Sequence, residues 1–487
     1  ERFPPQRRIN AVAIDGPPSR FPSMHDSLSI ANRTPAQLLA GLALLLVAGC
    51  SGNGIKEDAG REEVSRSLPL RVVVVDSPAL AQSIQTQWLA HDGGEIQLRE
   101  RSLKELLGTT RLLADVIVYP SAMIGELAMA GHLQPLSYPK GKTGWSGEAV
   151  LDNQRVAEVS WGRDLYAVSL GSPQPMLAYR RDIFQELGFQ PPVTWADYMD
   201  VCRRLDAFRS EQESNYPGVV AEPTGSGDAA ITLLARAASY ARHRNQYSGL
   251  FDFISMQPLI AGPPFRRALE ELVECQQFQA GDTELTSPQA FGRLLAGECL
   301  MAISWSVRDP ASIPAAEQTS LPLVAMTELP GSSEAYNINN SRWENRQTSE
   351  SVHVPLLAPG GRLGSVTELA HDRIQATNFL TFVTSSKIAH LVCRPSPHTF
   401  LFRNSHVENP RGWLPEQLDA IAATSLGATV KNAGGRNNYL FALRIPGRQQ
   451  YLAALDEAVQ AALAVHPGAH RRGDVQHDDR AGAAVVV

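Results

Sequence analysis

Three carboxylates stand at the ends of apolar runs: Asp76 after Leu70–Val75, Asp115 before Val116–Tyr119, and Glu222 after Val219–Ala221. Two carboxylates about 5–9.5 Å apart are what glycoside hydrolysis requires, so any two of these form a candidate hydrolytic pair. His390, Cys393 and His398 are a second conceivable cluster. It lacks a fourth ligand and carries proline between its members, so packing or surface roles fit it better than a metal site. No metal and no cofactor are expected. The chain has no G-x-x-x-x-G-K-[ST], no G-x-G-x-x-G after a strand and no H-E-x-x-H. Thr224-Gly225-Ser226-Gly227 is not a nucleophile elbow, because glycine does not stand two before the serine. Net charge is -6. No global basic field argues for nucleic acid.

The elements that would position these groups alternate. Leu70-Arg71-Val72-Val73-Val74-Val75 reads as a strand buried on both faces. A turn at Asp76-Ser77-Pro78 leads into a helix to Ala90. Residues 95–98 read as strand, 102–113 as helix and 115–119 as a buried strand, with a helix to about Ala130. This order predicts a parallel α/β sheet. Further on, strands are expected at 166–170, 176–179, 219–221, 300–305 and from Leu321, and helices at 180–187, 194–206, about 228–242, 265–277, 287–296, around 377–383, 414–424 and 451–465. Residues 331–350 read as polar loop. The scattered Cys202, Cys275, Cys299 and Cys393 contain no C-x-x-C pair, and Cys202 and Cys299 lie in apolar patterns that suit buried thiols.

The N-terminal region carries a different chemistry. Leu38–Ala48 is too short for a permanent span of roughly 20 residues. It ends in Leu46-Val47-Ala48-Gly49-Cys50, which resembles the bacterial lipobox, whose cysteine takes a lipid. Ser51-Gly52-Asn53-Gly54 then suits a flexible tether. Residues 1–23 read as a mis-called start, 24–49 as a lipoprotein signal peptide and 50–69 as the lipidated tether.

Four ordered segments resemble the extracellular solute-binding proteins of ABC importers, the family of sugar and maltodextrin binders. The first is Asp115-Val116-Ile117-Val118-Tyr119 with Gly131-His132-Leu133-Gln134-Pro135-Leu136. The second is Leu165–Leu170, then Ala178-Tyr179-Arg180-Arg181-Asp182-Ile183-Phe184 through Pro192-Val193-Thr194-Trp195. The third is Phe291–Gly297 with Met301-Ala302-Ile303-Ser304-Trp305, and the fourth Ala376–Phe382. Together they span roughly residues 70–465. Ser169 stands where the family often has proline, Arg180-Arg181 replaces Asn-Lys, and the polar stretches near 331–350 and 395–412 are unusual.

The resemblance implies an α/β, two-lobed, periplasmic-binding-protein-like (type II) fold with a ligand cleft between the lobes. The expected boundaries are 70–171 and 305–394 for lobe 1, 172–304 and 395–465 for lobe 2, and a disordered tail at 466–487. Open parallel sheets bind ligands beyond the carboxyl ends of their strands. Sugars offer flat apolar faces and hydroxyl edges, so aromatic platforms with acids and amides suit them. The candidate ligand residues are Tyr119 and Ser121 past one buried strand, Trp305 and Glu222 past two others, Asp76 after the first, and Gln174 (with Ser172) on the crossing segment. Arg444 lies in a region that contacts ligand in some relatives. Packing alternatives stand beside them: Tyr119 and Trp305 as core, Glu222 as charge partner of the following helix, Asp76 as turn former. The function implied is a non-catalytic receptor, lipid-anchored through Cys50 in the bacterial envelope, that delivers a solute, a carbohydrate by resemblance, to ABC permease subunits. The alternative is an envelope lipoprotein hydrolase acting on polysaccharide or cell-wall glycans.

Overall fold

The structure, a computed structural model, describes residues 68–136, 149–211, 217–281, 284–307 and 321–465. Cys50, its leader and the tail after Val465 lie outside these residues. The strands that build the two main sheets and their links are β1 (Leu70–Val75), β2 (Ile96–Arg101), β3 (Val116–Pro120), β4 (Val168–Ser169), β5 (Met176–Arg180), β6 (Val220–Ala221), β7 (Met301–Ser304), β8 (Val324–Glu328), β9 (Leu356–Leu357), β10 (Arg362–Val366) and β11 (Leu440–Phe441). The helices that cover them are α1 (Pro78–Ala90), α2 (Leu103–Leu107), α3 (Ile124–Met129), α4 (Trp195–Glu211), α5 (Ala229–Ala241), α6 (Pro263–Cys275), α7 (Ser287–Leu295), α8 (Arg373–Val383), α9 (Ala420–Gly434) and α10 (Arg448–Val465).

The first sheet has the order β2-β1-β3-β10-β4. β1 pairs in parallel with both β2 and β3, which explains its unbroken valine run: a central parallel strand is covered on both faces. Period-two alternation sends Val116 and Val118 into one core and Ile117 and Tyr119 into another. Trp88 of α1 meets Phe379 of α8 edge-on at 5.0 Å between ring centroids. The second sheet has the order β8-β5-β7-β6, with β6 parallel to β7 and the other pairs antiparallel. α5 is buried along its whole length beneath this sheet, consistent with its all-round apolar and small residues. α7 starts at a capping box between Thr286 and Gln289. One apolar core runs from Val72 and Val118 through Leu170 and Phe400–Phe402 to Met176 and Phe291, so it is shared by both sheets.

Several local expectations shift. β8 falls in the 305–394 segment expected in the first lobe, yet pairs with β5 over Glu328↔Met176 to Val324↔Arg180. The chain returns to the first sheet only at β10, which pairs antiparallel with β3. β10 was invisible to pattern reading because Arg-Leu-Gly-Ser-Val holds no β-branched run. At its Gly364 a Cβ would lie 2.8 Å from the Leu380 side chain, which would have to shift to admit it. Within the stretch read as polar loop, Glu334–Asn337 and Arg342–Asn345 form a hairpin, with Tyr336 against Trp343. The helix expected at 414–424 starts instead at Ala420, where the Asp419 carboxylate accepts from Ala422 N at 2.9 Å. The 102–113 helix stops at Leu107, before Gly108.

Candidate ligand-binding site

The sequence candidates fall into two groups, one at the carboxyl end of β3 and one at the carboxyl ends of β6 and β7. In the first group, Ser121 follows β3 directly. Its hydroxyl donates to the Gly360 carbonyl, and its amide donates to the Gly361 carbonyl at 3.1 Å. Gly361 has φ +96°, and a Cβ there would meet Ser172 Oγ at 2.1 Å, so only glycine lets these two crossing segments touch. Ser172 in turn donates to Glu158 Oε2 at 2.5 Å. Arg444 completes the group: its Nη1 donates to the carbonyls of Ala157 at 3.3 Å and Glu158 at 3.2 Å. Its guanidinium lies 3.6 Å from the centroid of Phe441. Burial lowers the Arg444 pKa to about 10 against the raising influence of Glu158, Tyr439 and Tyr119.

Nothing in the sequence marks Glu158 as a site residue. It is fully buried, and burial pushes its carboxyl up to about 7 although the Ser172 hydrogen bond and the Arg444 charge pull it down. Its only sequence signal is a glutamate set in the apolar stretch Val156-Ala157-Glu158-Val159.

Other members of the set are engaged elsewhere. Tyr119 is sealed, with its hydroxyl 2.9 Å from Ser365 Oγ on β10 and its phenol pKa pushed up by burial. Asp76 is exposed, at φ +44°, a left-handed conformation Asp tolerates through local hydrogen bonds. Its carboxylate accepts from Leu103 N at 3.0 Å and so tethers the start of α2. Gln174 is buried, and neither its amide oxygen nor its amide nitrogen has a partner among the described residues. It lines a narrow crevice with Met176, Glu328, His353, Pro355 and Val430.

In the second group Glu222 is completely buried. Arg236 Nη2 donates to both its oxygens at 2.7 and 2.8 Å, and the Tyr198 hydroxyl donates to Oε1 at 2.7 Å. Arg236 stacks over Trp195, 4.1 Å from the ring centroid. Glu222 therefore partners a side chain well inside α5, not the start of that helix. Trp305, half-buried, packs against the same core, and its amide donates to Ser287 Oγ at 2.9 Å. The Ser287 amide donates to Asp228 Oδ2 at 2.7 Å, and the Ser287 and Ser304 hydroxyls are 3.0 Å apart. Polar groups thus cluster beside Trp305 where β6 and β7 end.

A carboxylate pair for hydrolysis is not assembled from the two acids of the first sheet. Arg71 N donates to Asp115 at the start of β3, whereas Asp76 follows the end of parallel β1. Five residues of strand rise separate them by roughly 16 Å. Asp115 is also tied to Arg71 at 2.7 Å and to His371 at 2.7 Å. Among the described residues, no three His, Cys, Asp or Glu side chains are grouped to hold a metal ion. Also among them, no helix is long and apolar enough to cross a membrane. Cys202, Cys275, Cys299 and Cys393 are buried free thiols.

This architecture, two sheets linked by crossing segments at the ends of their strands, is the fold of the ABC-transporter solute-binding proteins. The solved structures similar to it include an ABC transporter solute-binding protein from Agrobacterium radiobacter K84 in complex with ribitol, at TM-score 0.57 and 17% identity, covering 82% of this chain and 94% of that one. The sugar-binding protein MalE from Xanthomonas citri matches at TM-score 0.57 and 13% identity, covering 82% and 93%. Maltose-bound MalE3 from T. maritima matches at TM-score 0.56 and 15% identity, covering 81% and 95%. No family model matches the sequence.

Proposed function

We propose that this chain is a non-catalytic receptor that captures a small carbohydrate or polyol and delivers it to the permease subunits of an ABC importer. The observation that carries this reading is the paired-sheet fold, shared over most of the chain with proteins whose solved complexes hold ribitol or maltose. The polar strand ends support it. Trp305 offers a half-buried aromatic surface beside Ser287, Ser304 and Asp228, and Ser121, Ser172 and Arg444 gather at the end of β3. Gln174 adds a buried amide with free donor and acceptor. Hinge closure of two lobes over a solute is the motion such a fold uses. The lipobox-like Val47-Ala48-Gly49-Cys50 supports anchoring of the receptor to the envelope membrane by lipid on Cys50.

Calorimetric titration with ribitol, mannitol, maltose and maltotetraose tests the reading directly. Saturable binding of one of them, without change in the ligand on prolonged incubation, is the expected result. Turnover of an oligosaccharide would replace the receptor reading by the hydrolase. Failure of Cys50→Ala to lose radioactive palmitate would remove the lipid anchor alone.

A further inference from the structure

Glu158 sits where three parts of the chain meet. Its own segment, 153–161, packs with the first sheet, Val159 lying in the core that holds Tyr119. Ser172 comes from the crossing segment to the second sheet. Arg444 follows β11, and its neighbours Ala442 and Leu443 belong to the core of the second sheet. The arginine therefore reaches from a segment packed in the second sheet's core onto the backbone of one packed with the first. That contact is tight: a Cβ on Gly125 of α3 would be 2.2 Å from the Arg444 carbonyl and 2.6 Å from the Trp161 ring.

The glutamate is only half satisfied. Oε2 takes the Ser172 hydroxyl, but Oε1 is buried without a partner, and the nearby guanidinium spends its two hydrogen bonds on the carbonyls of residues 157 and 158. A neutral carboxyl tolerates this arrangement. An ionised one leaves a buried charge short of donors, and a buried group without its partners costs more than one that is paired. The nearest remedy is the Arg444 guanidinium, an always-charged fork with five N–H groups.

We propose that Glu158 is a positioning residue whose ionisation draws Arg444 onto it and tightens the grip of residues 442–447 on α3 and Trp161. The groups that face this unit are Ser172 from the crossing segment, Arg444 itself, and Tyr119 and Tyr439 beside Arg444, both uncharged phenols near neutral pH. Burial places the Glu158 transition near neutrality, at about 7. The proposal deepens the receptor reading, because the joint it controls is where the chain crosses between sheets. Its test needs no solute, so the two stand or fall separately.

The experiment titrates the tryptophan emission of the unliganded protein across neutral pH, using the difference between wild type and Trp161→Phe to isolate Trp161. The expected result is one transition with a midpoint near pH 7 that is lost in Glu158→Gln. Ser172→Ala, which deletes a hydrogen bond favouring the ionised form, moves the midpoint upward. It also carries the test if Glu158→Gln does not fold. A wild-type difference signal that stays flat, a transition that survives in folded Glu158→Gln, or a midpoint that falls in Ser172→Ala would each overturn the proposal.

Discussion

Among the described residues two glutamates, Glu158 and Glu222, are buried completely, and their surroundings differ in kind. Glu222 is saturated: Arg236 holds both oxygens, Tyr198 donates to one, and aromatic rings enclose the arginine. Glu158 holds a single serine hydroxyl and leaves one oxygen bare. The fully partnered carboxylate lies inside the second sheet's core, where nothing need move. The unsaturated one lies at the joint between the two sheets. A carboxylate with both oxygens held is fixed, and one with a bare oxygen is free to respond. The comparison breaks most visibly at Glu222. Glu222→Ala strands the Arg236 charge in a dry core, and losing one partner of a buried pair costs about 3–5 kcal/mol. Urea unfolding should show that loss as a lower midpoint with an unchanged slope. A loss below about 1 kcal/mol, the range of an exposed pair, would mean that the pair is not sealed.

The second test follows from the raised carboxyl of Glu158. Its value rises from 4.5 to about 7 on folding, so the folded state binds the proton more tightly than the unfolded chain. The resulting stability is fully present below the unfolded value and is lost as pH rises through the folded one. Glu158→Gln has no such proton. The stability of the wild type relative to this variant should therefore fall by about 3 kcal/mol between the two values, at 1.36 kcal/mol per pH unit. His406 contributes with the opposite sign, since burial first, then the charges of Arg403 and His390, lower its pKa from 6.5 to about 3. Its stabilisation is lost as pH falls below the unfolded value. Subtracting the two proteins at each pH cancels the histidine. A difference that is flat with pH would show that the Glu158 carboxyl titrates alike in both states.

How much of this was legible in the sequence follows from what each element owes to its own residues. β1 and β3 announce themselves because a strand buried on both faces must be apolar throughout, and the composition records that burial. β10 is equally buried, but its place rests on side chains packed over Gly364 and on pairing with a strand more than 240 residues away, and neither leaves a local pattern. The same division runs through the candidate site. Ser121 and Trp305 are legible as candidates because they follow recognisable strands. Glu158 is not legible as a candidate because its neighbours Ser172 and Arg444 are brought near it only by the fold. Tyr119 stands at a strand end, where a ligand residue is expected, but the alternation along β3 turns its ring into the core with Ile117.

Tyr119 and Trp305 sharpen the comparison on the aromatic side. Both follow apolar strand residues, yet one is sealed and the other half-exposed. Aromatic anchors commonly cost 2 kcal/mol or more when truncated, so Trp305→Ala should weaken solute binding roughly thirtyfold with the fold retained. Calorimetry on the variant, with its melting point alongside, separates that from a packing role, for which truncation costs about 3–5 kcal/mol of stability.

The smallest effect belongs to Tyr119→Phe. The ring stays in its core, so no cavity opens. What is lost is the hydroxyl bonded to Ser365, and a net hydrogen bond is worth about 1 kcal/mol. Ser365 is itself fully buried, so its hydroxyl is left without that partner. This adds to the cost, since a stranded buried polar group is penalised more than a removed pair. The double variant Tyr119→Phe, Ser365→Ala should therefore recover part of the stability lost in the single one. Solute affinity should be the same in all three proteins, because neither group reaches the surface. A tenfold loss of affinity in Tyr119→Phe at unchanged stability would put this hydroxyl in contact with solute and show that the first sheet opens at β3 to receive it.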